Sequence, residues 1–160
     1  MPHHALDIRS ESLSSAVAQQ LIAALNAELA ALYPEEGANH FRLDEAEVAP
    51  GRGVFLVCRS ANRLAGCGAL RTLDATTAEL KRMYVVPELR GQGVGRALLA
   101  ELEGHARALG RRRLILETGP RQAEALALYN RYGFRPVAAY GEYVGSPLSV
   151  CLAFDLTGVA

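Results

Sequence analysis

From Leu13 onward, apolar residues return every three or four positions, at Val17, Leu21, Leu25, Leu29 and Leu32, and the series stops before Pro34. That spacing lays them along one side of an amphipathic helix starting near Ser12. A second stripe, Leu98, Leu102, Ala106 and Leu109, predicts a helix from about Gly93 with Gly110 as its stop, and "RQAEALALYNRYGF" predicts a third that ends at Gly133. Between them the compact apolar runs "ALDIRS", "VFLVCRS", "RLAGCGALRTL", "TTAELKRMYVVP", "RRLILET", "RPVAAYGEY" and "PLSVCLAFDL" predict strands, with "SAN" turning the second into the third. The polar "PEEGANHFRLDEAEVAPGRG" predicts a loop holding one helical turn. Strand, helix, three strands, helix, strand, helix and two strands predict an α/β fold of the α+β kind, a mixed sheet with helices on its faces.

Three glycines at alternate positions, Gly91, Gly93 and Gly95, separate the fourth strand from the second helix. The first turn of a helix has unpaired amide N–H groups and the positive end of the dipole, and bare backbone lets an anion reach both. Glycine weakens helix and strand by roughly 0.5 to 1 kcal/mol per position, so the segment needs a compensating role. A Walker loop requires Gly-Lys-Ser/Thr, whereas Gly95 is followed by Arg96 and Ala97. A Rossmann turn requires a third glycine where this chain has Arg96.

Composition narrows the partners. The chain has 160 residues, half of them hydrophobic, enough for one domain spanning residues 1–160 with a core of its own. Seventeen basic residues balance seventeen acidic ones, so no overall field draws nucleic acid or an anionic membrane. The apolar runs are shorter than a bilayer crossing needs and "MPHHALDIRS" has no signal-peptide pattern, which predicts a cytoplasmic protein. Cys58, Cys67 and Cys151 sit in apolar runs and read as reduced core thiols rather than nucleophiles. His3, His4, His40 and His105 lack metal-ligand spacing, and no metal is expected.

The segment "AELKRMYVVPELRGQGVGRALL", followed by "ALALYNRYGF", resembles the GNAT superfamily of acyl-CoA-dependent N-acyltransferases. Its hallmark, Gln/Arg-x-x-Gly-x-Gly/Ala after the central strand, is matched by Arg90, Gly93 and Gly95, and the order of elements agrees over nearly the whole chain. The resemblance implies a mostly antiparallel sheet with a splayed strand pair and acetyl-CoA as cosubstrate. It also implies that Arg90, Gly91, Gln92, Gly93, Val94, Gly95 and Arg96 cradle the coenzyme diphosphate without a metal. Main-chain groups near Met83 and Val85 would pair with the pantetheine arm. Where many members carry Asn three positions before an alanine of the third helix, this chain has Gln122, an amide on a longer arm.

The resemblance further implies an acid and a base. Tyr129 matches a tyrosine beside the coenzyme sulfur, and a phenol of pKa about 10 suits a proton donor to a departing thiolate. Glu79, eleven positions before Arg90, matches a glutamate that some members use as base. Strand alternation would set it on one face with Lys81, Met83 and Val85. Its alternative is a solvated strand-end carboxylate paired with Lys81. Glu117 is a second candidate base or an anchor for a substrate ammonium, its alternative an exposed or Arg113-paired carboxylate.

Acceptor contacts are expected from the loop around Tyr33, Glu35, Glu36 and His40, from the strand end at Glu117 and Thr118, and from "AYGEYVGSP" with Tyr143 and Glu142. The implied reaction is acetyl transfer to a primary amine of a small molecule by direct attack, in a protein that, like similar ones, can form a homodimer. Acetylation of a protein or peptide amine, and a non-catalytic acyl-CoA sensor, stay open alternatives.

Overall fold

The computed structural model describes residues 5–35 and 43–158. Its strands are β1 (Leu6–Ser10), β2 (Gly53–Ser60), β3 (Arg63–Thr72), β4 (Thr77–Val85), β5 (Arg113–Thr118), β6 (Arg135–Pro136) and β7 (Val150–Asp155). Its α-helices are α1 (Ala16–Leu32), α2 (Val94–Ala108) and α3 (Ala123–Tyr132). The strands form one sheet in the order β1-β2-β3-β4-β5-β7-β6. Every pairing is antiparallel except β4 with β5. His3, His4, Glu36 and His40 lie outside the described residues.

Two apolar layers flank the sheet. Leu98, Leu102 and Ala106 of α2, with Tyr129 of α3, pack on Leu56, Leu70, Leu80, Leu114 and Leu152. Leu21 and Leu25 of α1 pack on Phe55, Val57, Cys67 and Ala69 from the opposite side. The stripes read from periodicity are therefore the buried faces. Helix α1 begins four residues after Ser12 because Ser15 caps it, its Oγ accepting the Ala18 amide at 3.0 Å. The "SAN" turn is a two-residue hairpin, with Ala61 and Asn62 both at positive φ and Ser60 opposite Arg63. Cys58, Cys67 and Cys151 are buried and free; burial pushes the Cys58 thiol up to about 11 and the Cys67 thiol to about 12. Among the described residues no helix is long and apolar enough to cross a membrane.

Two departures shape the site. The expected strand in "RPVAAYGEY" is only two residues long, because the chain leaves β7 after Val137, whose amide still donates to the Cys151 carbonyl at 2.9 Å. The second is in β4. Ala69 faces Lys81 and Cys67 faces Tyr84, so the single residue Gly68 opposes both Arg82 and Met83. This is a β-bulge, with Arg82 in the left-handed region at φ 58°. A Cβ at Gly68 would meet Met83 Sδ at 2.6 Å and Leu102 Cδ1 at 2.9 Å, so a larger residue there would displace those two side chains. The extra residue inverts the alternation. Met83 and Val85 follow Ala78 and Leu80 into the α2 layer, while Glu79 and Lys81 lie on the α1 face with Tyr84. The expectation that Glu79 shares a face with Met83 and Val85 is thus corrected, because strict period-two counting fails across a bulge.

Strands β4 and β5 pair only from Thr77 to Leu80 against Arg113 to Leu116. Beyond those residues no ladder joins them, and a wedge opens in the middle of the sheet.

Candidate active site

The start of α2 lies on one side of that wedge. Gly93 is the N-cap, at φ 88°, and offers no side chain to satisfy the first-turn amides. Gly91 is also left-handed, at φ 78°, and a Cβ at either glycine would meet nothing within 4 Å. The glycines therefore supply backbone conformation and open approach, not close packing. None of the amides of residues 91–96 donates to an acceptor among the described residues. Buried Val94 and Leu98 hold this turn against the sheet, while Gly91, Gln92, Gly93 and Arg96 face outward. A row of uncommitted N–H groups at the positive end of a 15-residue helix can receive an anionic group.

Arg90 is turned away from the cradle. Its Nε donates to the Val85 carbonyl at 2.9 Å, its Nη2 pairs with Glu28 of α1 at 2.7 Å, and its guanidinium lies over the Tyr84 ring. It braces the loop against β4 and α1. The Gln92 side chain reaches back to the Glu88 carbonyl at 3.4 Å, and Arg96 stacks over Tyr132.

The wedge holds a cavity of about 80 Å³ whose polar lining includes Lys81, Arg82, Glu117, Thr118, Gln122 and Tyr129. Glu117 sits at the end of β5, where Ser149 Oγ donates to its Oε2 at 2.7 Å. Burial pushes its carboxyl up to about 7, against the opposing pull of the Ser149 hydrogen bond and the Lys81 charge. Tyr129 is buried on α3, 5.7 Å from the Phe134 ring, and no described residue accepts from its hydroxyl. Burial raises its phenol above the ordinary value, so it keeps its proton at neutral pH. Thr118 Oγ1 is buried with no hydrogen-bond partner among the described residues. Met83 also lines the cavity, and Tyr143 closes it from the turn before β7.

Glu79 is the most enclosed charge in the molecule's centre, fully buried, and it is not part of that lining. Its Oε1 accepts from Arg71 Nε at 2.6 Å and its Oε2 from the Tyr140 hydroxyl at 2.6 Å. Arg71 also pairs with Glu47 of the short 3-10 turn Glu45–Val48. The pairing corrects the alternative of a solvated carboxylate bound to Lys81, since Glu79 is neither. Arg71 stands directly opposite Glu79 in the β3–β4 register. That cross-strand match is readable once the turn between Thr72 and Thr77 is placed. Tyr140 comes from 61 positions away, and nothing local announces it.

Tyr33 and Gln122 meet at one turn. Tyr33 Oη accepts the Arg121 amide at 2.9 Å, and Gln122 Oε1 accepts the Gly119 amide at 3.0 Å. Gln122 is the N-cap residue of α3 and shapes the mouth of the cavity. Glu35 pairs with Arg121 at 2.7 Å on the surface. Among the described residues no group of His, Cys, Asp and Glu is arranged to hold a metal.

Residues 18–134 match the acetyltransferase (GNAT) family. The chain is 42% identical over 143 residues to the IAA acetyltransferase of Azospirillum brasilense, covering 89% of this chain and 92% of that protein. Among solved structures, a Klebsiella pneumoniae protein assigned to the acyl-CoA N-acyltransferases is similar at a TM-score of 0.82 and 35% identity, over 94% of this chain and 97% of that one. A GNAT family acetyltransferase from Elizabethkingia anophelis, crystallised with acetyl-CoA bound, shares the fold at a TM-score of 0.66 and 19% identity, over 94% and 98% of the two chains.

Proposed function

The chain belongs to the GNAT family of acetyltransferases, and on that premise we propose that it moves an acetyl group from acetyl-CoA to a primary amine of a small molecule, by direct attack in a ternary complex. One observation carries the reading: a carboxyl titrating near neutrality and a buried phenol with an open hydroxyl line the same wedge, beside a helix start with uncommitted amides. Acetyl-CoA supplies the acetyl group as a thioester.

The amides of residues 91–96 hold the diphosphate, with Gly91 and Gly93 keeping the approach clear. The edges of β4 and β5 beyond Leu80 and Leu116, unpaired with each other, receive the pantetheine arm near Met83 and Val85. Glu117 is the base in this reading. An ordinary alkylamine has a pKa of about 10.4 and must lose a proton to attack. A carboxylate titrating near 7 accepts that proton, directly or through a water, better than one held near 4. Glu79 has both oxygens occupied by Arg71 and Tyr140 and acts as a positioning residue that holds β4 against the segment carrying Tyr143. Tyr129 Oη holds its proton at neutral pH and delivers it to the departing thiolate.

The similarity to an enzyme named for IAA supports a small acceptor. The test is calorimetric titration with acetyl-CoA, followed by an amine library read through release of free coenzyme thiol. Binding with turnover on small amines is expected; absence of coenzyme binding, or turnover confined to peptide amines, would refute the reading.

A further inference from the structure

Among the described residues Lys81 is a buried lysine with no carboxylate in ion-pair contact. It is 9% exposed, its side chain lines the wedge cavity beside Glu117 and Tyr129, and among the described residues its ammonium makes no hydrogen bond and no ion pair. A charge taken out of water in this way costs stability unless something pairs with it. The carboxylates within electrostatic reach do not supply the pairing. Glu79 commits one oxygen to Arg71 and the other to Tyr140. Glu142 attracts the lysine charge but forms no hydrogen bond or ion pair with it, and the guanidinium groups of Arg71 and Arg82 oppose that charge. Glu117, the carboxyl that the described lining contains, accepts from Ser149. Among the described residues the lining thus has two cationic side chains, Lys81 and Arg82, and one carboxyl group.

Resting on the small-amine reading above, we infer that the acceptor carries a carboxylate as well as its amine, and that Lys81 is the residue that binds it. The bulge at Arg82 makes this possible. It leaves Lys81 on the α1 face while turning Met83 and Val85 to the α2 face, so the ammonium stands on the opposite side of β4 from the start of α2. An anionic group entering from the α1 side would meet Lys81 and complete the missing pair, with the amine left facing Glu117. A neutral amine would leave the lysine desolvated and unpaired, which discriminates against it more strongly than a lost contact at the surface would.

The experiment uses α-, β- and γ-amino acids and their carboxamides as acceptors at saturating acetyl-CoA, with coenzyme release as the signal. For at least one pair the acid is expected to exceed its amide in kcat/KM. In Lys81→Met that acid-to-amide ratio should fall about 30-fold, the loss expected on truncating one partner of a buried charge pair, and Lys81→Arg should restore much of it. Saturating acid should also raise the melting temperature of the wild-type protein more than its amide does, and this difference should vanish in Lys81→Met. Amides that match their acids in the wild type, or a ratio unchanged in Lys81→Met, would overturn the inference and leave the small-amine function standing. Failure of acids and amides alike, with acetyl-CoA binding intact, would remove both.

Discussion

Tyr140 donates its hydroxyl hydrogen to Glu79 Oε2 at 2.6 Å across 61 positions of sequence, tying the turn after β6 to the centre of β4. The bond satisfies a carboxylate that has no access to solvent, and it places Tyr143, whose ring meets that of Tyr140 at 5.2 Å, over the cavity. In Tyr140→Phe that oxygen loses its partner, with an expected cost of about 1 to 3 kcal/mol in urea denaturation. KM for the acceptor should rise through displacement of Tyr143, while the affinity for acetyl-CoA stays near that of the wild type. A variant as stable as the wild type would show that Glu79 is satisfied some other way.

Glu117→Gln separates base from scaffold. A base must be deprotonated, so wild-type kcat/KM should climb as pH rises through about 7. The variant should lose that rising limb and about 100-fold or more in rate. Stability runs the opposite way. The folded protein holds the Glu117 proton more tightly than the unfolded chain does, so this group's stabilisation is complete below the ordinary glutamate pKa near 4.5 and is lost as pH rises towards 7. Thermal melts of wild type and Glu117→Gln across pH 4.5 to 7 should therefore converge at low pH and diverge towards neutrality, the wild type falling relative to the variant.

For Tyr129→Phe the expectation is an unusual pairing of effects. Its hydroxyl serves no described residue, so removal should leave the melting temperature within about 1 °C or raise it slightly, there being no hydrogen bond to lose. Turnover should fall by about 100-fold with the coenzyme dissociation constant little changed. Loss of coenzyme binding instead would assign the tyrosine to packing.

The glycines of the cradle separate by the space around them. At Gly93 the backbone is left-handed and a Cβ meets open space, so Gly93→Ala should cost about 1 to 2 kcal/mol of stability from strain alone. Coenzyme affinity should weaken by about 10-fold or more if the amides of residues 91–96 bind the diphosphate. At Gly95 a Cβ would lie 2.7 Å from Leu128 Cδ2, so Gly95→Ala should act mainly by displacing the Leu128 side chain between α2 and α3. Equal effects of the two substitutions on coenzyme affinity, read by calorimetry, would contradict the cradle.

Much of this architecture is legible in one dimension. The stripes at Leu21 and Leu25 and at Leu98, Leu102 and Ala106 are the faces that the sheet covers, because helical periodicity and burial report the same constraint. The glycine pattern at Gly91 and Gly93 marks a left-handed, open turn before α2, because positive φ and free approach are local demands. Gly133 ends α3 for the same kind of reason, at φ 121°.

What the chain could not declare by itself is which charges meet. The bulge at Arg82 reverses the faces of β4 through one inserted residue, and only the pairing of β3 with β4 reveals it. Glu79 and Glu117 are indistinguishable as glutamates on strands. Arg71 and Tyr140 enclose the first, while the divergence of β4 from β5 opens a cavity beside the second. Element type and helix ends follow from short-range sterics and hydrogen bonding, which the sequence carries in full. The charge state of a carboxyl and the isolation of Lys81 depend on desolvation and on partners tens of residues away, and those exist only once the sheet has assembled.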